Sequence, residues 1–355
     1  MLIGPAGAGK TTMSKRIVVS TFNRNKVCFF IPLAFVNPSE PIDLKYLLFK
    51  LSMNLFSSST SMSEDQMEIA FNWVLNNQDK ITLVLDGVDQ ARLELNKIFF
   101  ATNINLLSKF QPSQLVFFIL SRRVLKGTRL VLTSRPHSVL NFSSYIQPNY
   151  TVYLDDLAED DIKKLMRFYT NTENVENIIK RLLESSPNVY KLVACPLFLR
   201  LFCHLYRTVE RTEVWTKVQS TADLFNELLK RLQQSSHNAS NLDKAEVLDK
   251  LSKLAYDKTM EGSVVMTEED LTNAGLTIDM AQDLMLGVRT DYALVGSSLY
   301  YFAHQSIQVS IMLVCFTSAR SANLIIIKKF TRRPLVKYFL YTNELLLLYL
   351  SNFCI

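Results

Sequence analysis

The chain opens on MLIGPAGAGKTT, where Gly4, Gly9, Lys10 and Thr11 satisfy the phosphate-loop pattern G-x-x-x-x-G-K-[ST]. No other stretch restricts the fold as tightly, because this pattern works only where a strand runs into a tight turn that opens a helix. Met1 to Ile3 read as the end of an apolar strand and Thr11 to Val19 as the helix, its N-terminus facing the loop. Glycines let backbone N–H groups converge on phosphate oxygens, a helix N-terminus adds partial positive charge, and Lys10 can reach the terminal phosphates. The loop Gly4, Pro5, Ala6, Gly7, Ala8, Gly9 is therefore the predicted nucleotide-binding segment, with Lys10, Thr11 and Thr12. Thr11 is also a predicted ligand of Mg²⁺. Only three residues precede Gly4, against about five or six in a typical strand, so further sequence is expected upstream of Met1.

Alternation continues downstream. Val27 to Ile31 reads as a second strand; helical patterning follows over Asp43 to Leu55 and Ser63 to Leu75, with Ser63 placed to cap and Glu64 and Asp65 in the first turn. In ITLVLDGVDQ the uninterrupted apolar run Ile81 to Leu85 delivers Asp86 at a strand end, as in a buried parallel strand. Asp-Gly after a core strand serves a plain turn equally well; the phosphate loop is what makes Asp86 a Walker B candidate, holding Mg²⁺. If the chain turns at Gly87, Asp89 comes close enough to polarise an attacking water. Arg129 to Thr133 forms another apolar run into TSRPH, putting Arg135 at a strand end where a guanidinium can sense a terminal phosphate. Otherwise Arg135 is a solvated residue before a proline turn. The pattern predicts an α/β fold, a P-loop NTPase with a parallel sheet and ligands at the carboxyl ends of its strands.

Charge and cysteine usage narrow the class. Net charge is +6 over 355 residues, but Val309 to Ile355 holds six cations (Arg320, Lys328, Lys329, Arg332, Arg333, Lys337) against Glu344, which is +5 of that total. The remaining +1 spread over 308 residues offers no broad basic footprint, so nucleic-acid partners are discounted. Five scattered cysteines suggest neither a disulfide framework nor a zinc site, and no leader pattern opens the chain; a reducing, cytoplasmic location is expected.

GPAGAGKTT, LVLDGVDQ and LVLTSRP, in that order, resemble the NACHT domain of NLR-type signalling NTPases, in the STAND branch of AAA+-related P-loop proteins. YLDDLAEDDIKKLMRFY, CPLFLRLFCHLY and YYFAHQSIQ extend the resemblance to about Gln308. It implies a P-loop domain over 1–150, a helical domain over 151–215 and a winged-helix region over 216–308. Helical patterns at Ala222 to Gln233, Leu242 to Thr259 and Glu268 to Ala274, then short strands within Ala293 to Phe302, are compatible with this. The resemblance further implies binding of ATP, in preference to GTP, with Mg²⁺, and a hydrolysis cycle that controls self-association. It makes Arg135 sensor 1, places Pro196 near adenine, and has His304 contact the β-phosphate in a closed ADP state. By themselves Pro196 is a good first-turn residue and His304 an ordinary core histidine. One departure stands out: where the family carries Asp-Glu, this chain has Asp89 with Gln90, which can orient a water but cannot take its proton.

Residues 309–355 depart from the family altogether and read as read-through past an exon boundary. Their apolar stretch Val336 to Ile355 is broken by Asn343, Glu344 and Asn352, so membrane insertion is not expected. Two alternatives to the switch are a phosphoryl-transfer enzyme of the nucleoside-kinase type, and a truncated product without function.

Overall fold

The computed structural model describes residues 1–22, 24, 26–36, 40–52, 63–90, 108–136, 138–139, 146–208, 223–224, 227, 244–261, 263, 265–277, 287–290, 299–302, 308 and 311–312. The described residues fall into two compact units, one within Met1–Asp155 and one from Asp156 onward.

The first unit is built on five parallel strands, β1 (Leu2–Ile3), β2 (Val27–Pro32), β3 (Ile81–Asp86), β4 (Arg129–Ser134) and β5 (Val152–Tyr153), in the order β2-β3-β4-β1-β5. All six residues of β3 are buried, which is why that strand reads as an unbroken apolar run rather than an alternation. Its partners are in register from Val27↔Ile81 to Pro32↔Asp86 on one side and from Thr82↔Arg129 to Leu85↔Leu132 on the other. Pro32 closes β2 at the sheet's edge, where a missing N–H costs no ladder bond. β4 lies between β3 and β1, pairing with the latter at Leu2↔Thr133 and Ile3↔Ser134.

Helices cover both faces. α1 (Lys10–Phe22) buries Val18 against Phe30 and Val84. A larger apolar layer forms under α2 (Leu44–Phe49), α3 (Glu64–Asn76) and α4 (Pro112–Leu120), and includes Leu44, Leu47, Phe71, Leu83, Leu85, Leu115 and Phe118. Local chemistry sets the helix starts. Asp43 accepts from the Tyr46 N–H at 2.7 Å, and Ser63 and Gln66 form a reciprocal capping box. α4 was not anticipated. Pro112 occupies its first turn, and every residue from Leu115 to Leu120 is buried, so the segment is apolar all round and carries no helical period.

The second unit packs α5 (Glu159–Thr170), α6 (Val175–Ser185), α7 (Pro187–Val193), α8 (Pro196–Thr208) and α9 (Lys244–Glu261) around one apolar core, with Met166, Val175, Val193, Leu199 and Leu205 fully excluded from water. α5 ends on Asn171 in the left-handed region at φ 50°, which asparagine tolerates as a helix terminator. The unit also holds β6 (Val265–Thr267), α10 (Glu268–Asn273), β7 (Gly287–Thr290) and β8 (Leu299–Phe302), the strands forming an antiparallel sheet in the order β6-β8-β7. β6 and β7 had no counterpart in the sequence reading. His304, most of Ala222 to Gln233 and residues 313–355 lie outside the described residues. Among the described residues no single helix is long and apolar enough to cross a membrane; α7 and α8 would pass such a test only as a pair, and they are bent by 117°.

Candidate phosphate-binding site

β1 ends at Ile3 and the chain turns through Gly4–Gly9 before Lys10 opens α1. Two glycines are required here for different reasons. A Cβ on Gly4 would lie 2.9 Å from Leu154 O, so the backbone approach itself excludes a side chain. At Gly9 nothing lies within 4 Å of a Cβ, but φ is +91°, a conformation that costs an ordinary residue roughly 1–2 kcal/mol. The turn is anchored by the Gly4 N–H donating to Ser134 O at 3.2 Å, and α1 begins with Met13 N–H donating to Gly9 O at 2.9 Å. Pro5 is exposed and Ala6 to Lys10 are partly exposed, so the loop faces solvent. The Lys10 ammonium donates to Gly4 O and Pro5 O, both at 2.7 Å, which holds it across the start of the loop.

Asp86 closes β3 beside the first turn of α1. Its carboxylate is buried and accepts three hydroxyl hydrogen bonds, from Thr11 Oγ1 at 2.7 Å, Thr133 Oγ1 at 2.8 Å and Ser14 Oγ at 3.3 Å. Thr133 in turn accepts from the Gly87 N–H at 2.7 Å, which fixes the backbone just past the carboxylate. Gly87 sits at φ +81°, so the chain does turn there. A Cβ on Gly87 would stand 2.4 Å from Gln90 Oε1, because the Gln90 amide folds back over it. Asp89 is directed toward β4, and its Oδ2 lies 3.2 Å from Arg135 Nε; only 7% of the Asp89 side chain and 14% of the Arg135 side chain meet water. That pair is screened from solvent, so separating it without a replacement partner is costly.

β4 is thus the hub. Ser134 O takes the first loop amide, Thr133 holds Asp86, and Arg135 meets Asp89. Gly4 to Thr12, Asp86, Asp89, Gln90 and Arg135 all belong to the first unit, whereas Pro196 opens α8 in the second. Ser14 and Thr133 escaped the sequence reading. Ser14 follows Thr11 by three residues and so shares its helical face, a spacing that could have exposed it; Thr133, inside an apolar strand, carries no such signal.

Residues 1–173 match the family model of the NACHT domain. Over 148 residues, 40% of this chain and 8% of its own length, "Protein NLRC5" of Ictalurus punctatus is 28% identical. "Nucleotide-binding oligomerization domain-containing protein 2" of Pan troglodytes is 27% identical over 205 residues, 56% of this chain and 19% of that protein. The chain therefore spans less than a fifth of the length of these curated relatives. Among solved structures, Cdc6p from Pyrobaculum aerophilum aligns over 88% of this chain and 87% of its own at 13% identity, with a TM-score of 0.34.

Proposed function

Residues 1–173 being a NACHT domain, we propose that this chain is the nucleotide-controlled switch of an NLR-type signalling protein, binding ATP in preference to GTP together with Mg²⁺. The observation that carries this reading is the 2.7 Å approach of the Thr11 hydroxyl, on the first turn after the loop, to the Asp86 carboxylate at a neighbouring strand end. Adjacent ligands of an octahedral Mg²⁺ stand about 2.9 Å apart, so this hydroxyl–carboxylate pair fits such an ion, directly or through its waters. Bound nucleotide and metal would supply the polyphosphate charge and the electrophilic clamp on it.

The chain's own residues divide the remaining work. Loop amides and Lys10 orient the phosphates, while Ser14 and Thr133 hold the Asp86 carboxylate in one rotamer. In this reading Arg135 leaves its ion pair with Asp89 to read a terminal phosphate, and the Asp89 carboxylate so released accepts a proton from water. Gln90 can only orient that water, so turnover is slow, which suits a switch. Pro196 packing near adenine, His304 holding an ADP-bound state, and a winged-helix region within 216–308 belong to this proposal. So do a cytoplasmic location, a role in innate-immune signalling, and self-association, the last in keeping with the oligomerization named in one of the similar proteins.

Two measurements test the reading. ATP·Mg²⁺ at about a hundred times its dissociation constant is expected to stabilise the chain by about 2.7 kcal/mol in thermal unfolding. A midpoint unmoved by millimolar ATP or GTP contradicts nucleotide binding, and phosphate transfer to free nucleosides would favour a kinase instead. In the second, Gln90→Glu restores a carboxylate beside Asp89 and is expected to raise steady-state hydrolysis by about ten- to a hundredfold. Unchanged turnover in a variant that still binds ATP removes the role assigned to this position.

A further inference from the structure

The end of the first unit's sheet opposite the phosphate loop gathers uncompensated cations. Lys26 and Lys80 immediately precede β2 and β3, whose first residues are in register at Val27↔Ile81, and Arg129 opens β4 opposite Thr82. Arg24 reaches the same end because its N–H and that of Lys26 both donate to Thr21 O, at the close of α1. The α4–β4 turn adds Arg122, Arg123 and Lys126, and is held there by the Gly127 N–H donating to Gln78 Oε1 at 3.0 Å and by Arg122 Nη1 donating to Thr128 O at 2.8 Å. Among the described residues none of these seven cations forms an ion pair, and Asp79 is the one carboxylate within these segments.

Some positive charge is expected here, since α1, α3 and α4 end at this edge and each helix C-terminus carries roughly half a negative charge. Seven cations exceed that requirement several-fold. The edge also exposes apolar side chains: Phe22 is 56% and Val27 37% accessible. Cations interleaved with an exposed aromatic fit a lipid interface, where the charges meet anionic headgroups and the ring enters the boundary beneath them. A nucleic-acid duplex, whose bases are already stacked on one another, would use the cations and leave Phe22 and Val27 in water.

We propose that this sheet edge is a docking surface for an anionic membrane. The inference does not depend on nucleotide binding, because the phosphate loop lies at the other end of the strands. Its test is flotation of the full chain with phosphatidylcholine vesicles, with and without phosphatidylserine. Lys26→Gln, Lys126→Gln and Arg129→Gln are combined because no side-chain hydrogen bond or ion pair of theirs is disturbed among the described residues. The triple variant is expected to partition onto the anionic vesicles about a hundredfold more weakly. A control that neutralises Lys164, Lys180 and Lys253, with the same change in net charge, is expected to float like the unmodified chain. Lys328, Lys329, Arg332, Arg333 and Lys337 supply cations elsewhere, so the difference between the two variants is the deciding readout. Matched thermal unfolding midpoints establish that both variants fold. Equal flotation of the two variants, absence of flotation on anionic vesicles, or tighter binding to a duplex oligonucleotide than to vesicles each overturns the proposal.

Discussion

Replacing Lys10 by alanine is expected to abolish retention of ATP through desalting and to raise its dissociation constant at least a hundredfold. The magnitude follows from losing charge-assisted hydrogen bonds to phosphate, each of which contributes about 1.5–3 kcal/mol. The fold should survive. Lys10 donates to Gly4 O and Pro5 O in a loop that faces solvent, so water can take its place at those carbonyls at a cost below about 1 kcal/mol. The check is therefore paired: calorimetric titration with ATP·Mg²⁺, and thermal unfolding without nucleotide. Undiminished affinity would mean that the ammonium held across the loop is structural and that phosphate is bound by backbone amides alone.

Removing the Asp86 carboxylate has a different signature, because that group is both a structural acceptor and the candidate metal contact. In Asp86→Ala, the hydroxyls of Ser14 and Thr133, themselves 0% and 1% exposed, lose their acceptor where water is not at hand. Buried donors left this way cost about 1–3 kcal/mol each, so the two together are expected to lower the unfolding free energy by about 2–6 kcal/mol. Asp86→Asn separates the two roles. With its oxygen in the Oδ1 position the amide still accepts from both Ser14 and Thr133, so most stability should remain, while the negative charge is gone. ATP affinity measured with Mg²⁺ and with chelator should then coincide in the Asn variant and differ by about tenfold or more in the unmodified chain. An Asn variant that still responds fully to Mg²⁺ would move the metal contact away from Asp86.

Much of this site was legible in one dimension because its residue types are dictated by local backbone chemistry. Gly9 must occupy positive φ, Ser63 must cap a helix, and the all-apolar run into Asp86 must be a strand buried on both faces. Each of these signals is confined to a few adjacent residues. What depends on neighbours distant in the chain leaves no such local signal. α4 is apolar on every side because it is enclosed, which erases the 3.6-residue period that would have marked it. β5, with both residues exposed, exists only because Leu2 and Ile3 offer it a ladder. The turn at Gly87 is a property of that one residue, whereas the pairing of Asp89 with Arg135 joins two segments whose approach depends on β4 lying beside β3.

The amino-acid sequence by itself determined the class of fold, the phosphate loop and the strand that ends in Asp86, since periodicity and conformational demand are properties of short segments. Tertiary structure alone decided the strand order that inserts β4 between Asp86 and the loop, and with it the partners Ser14, Thr133 and Arg135. It likewise turned a body whose charges nearly cancel along the chain into a sheet with a cationic edge. The physical reason is common to both: counting along the chain averages over position, whereas hydrogen bonds and Coulomb forces act through distances of a few ångströms that only packing sets.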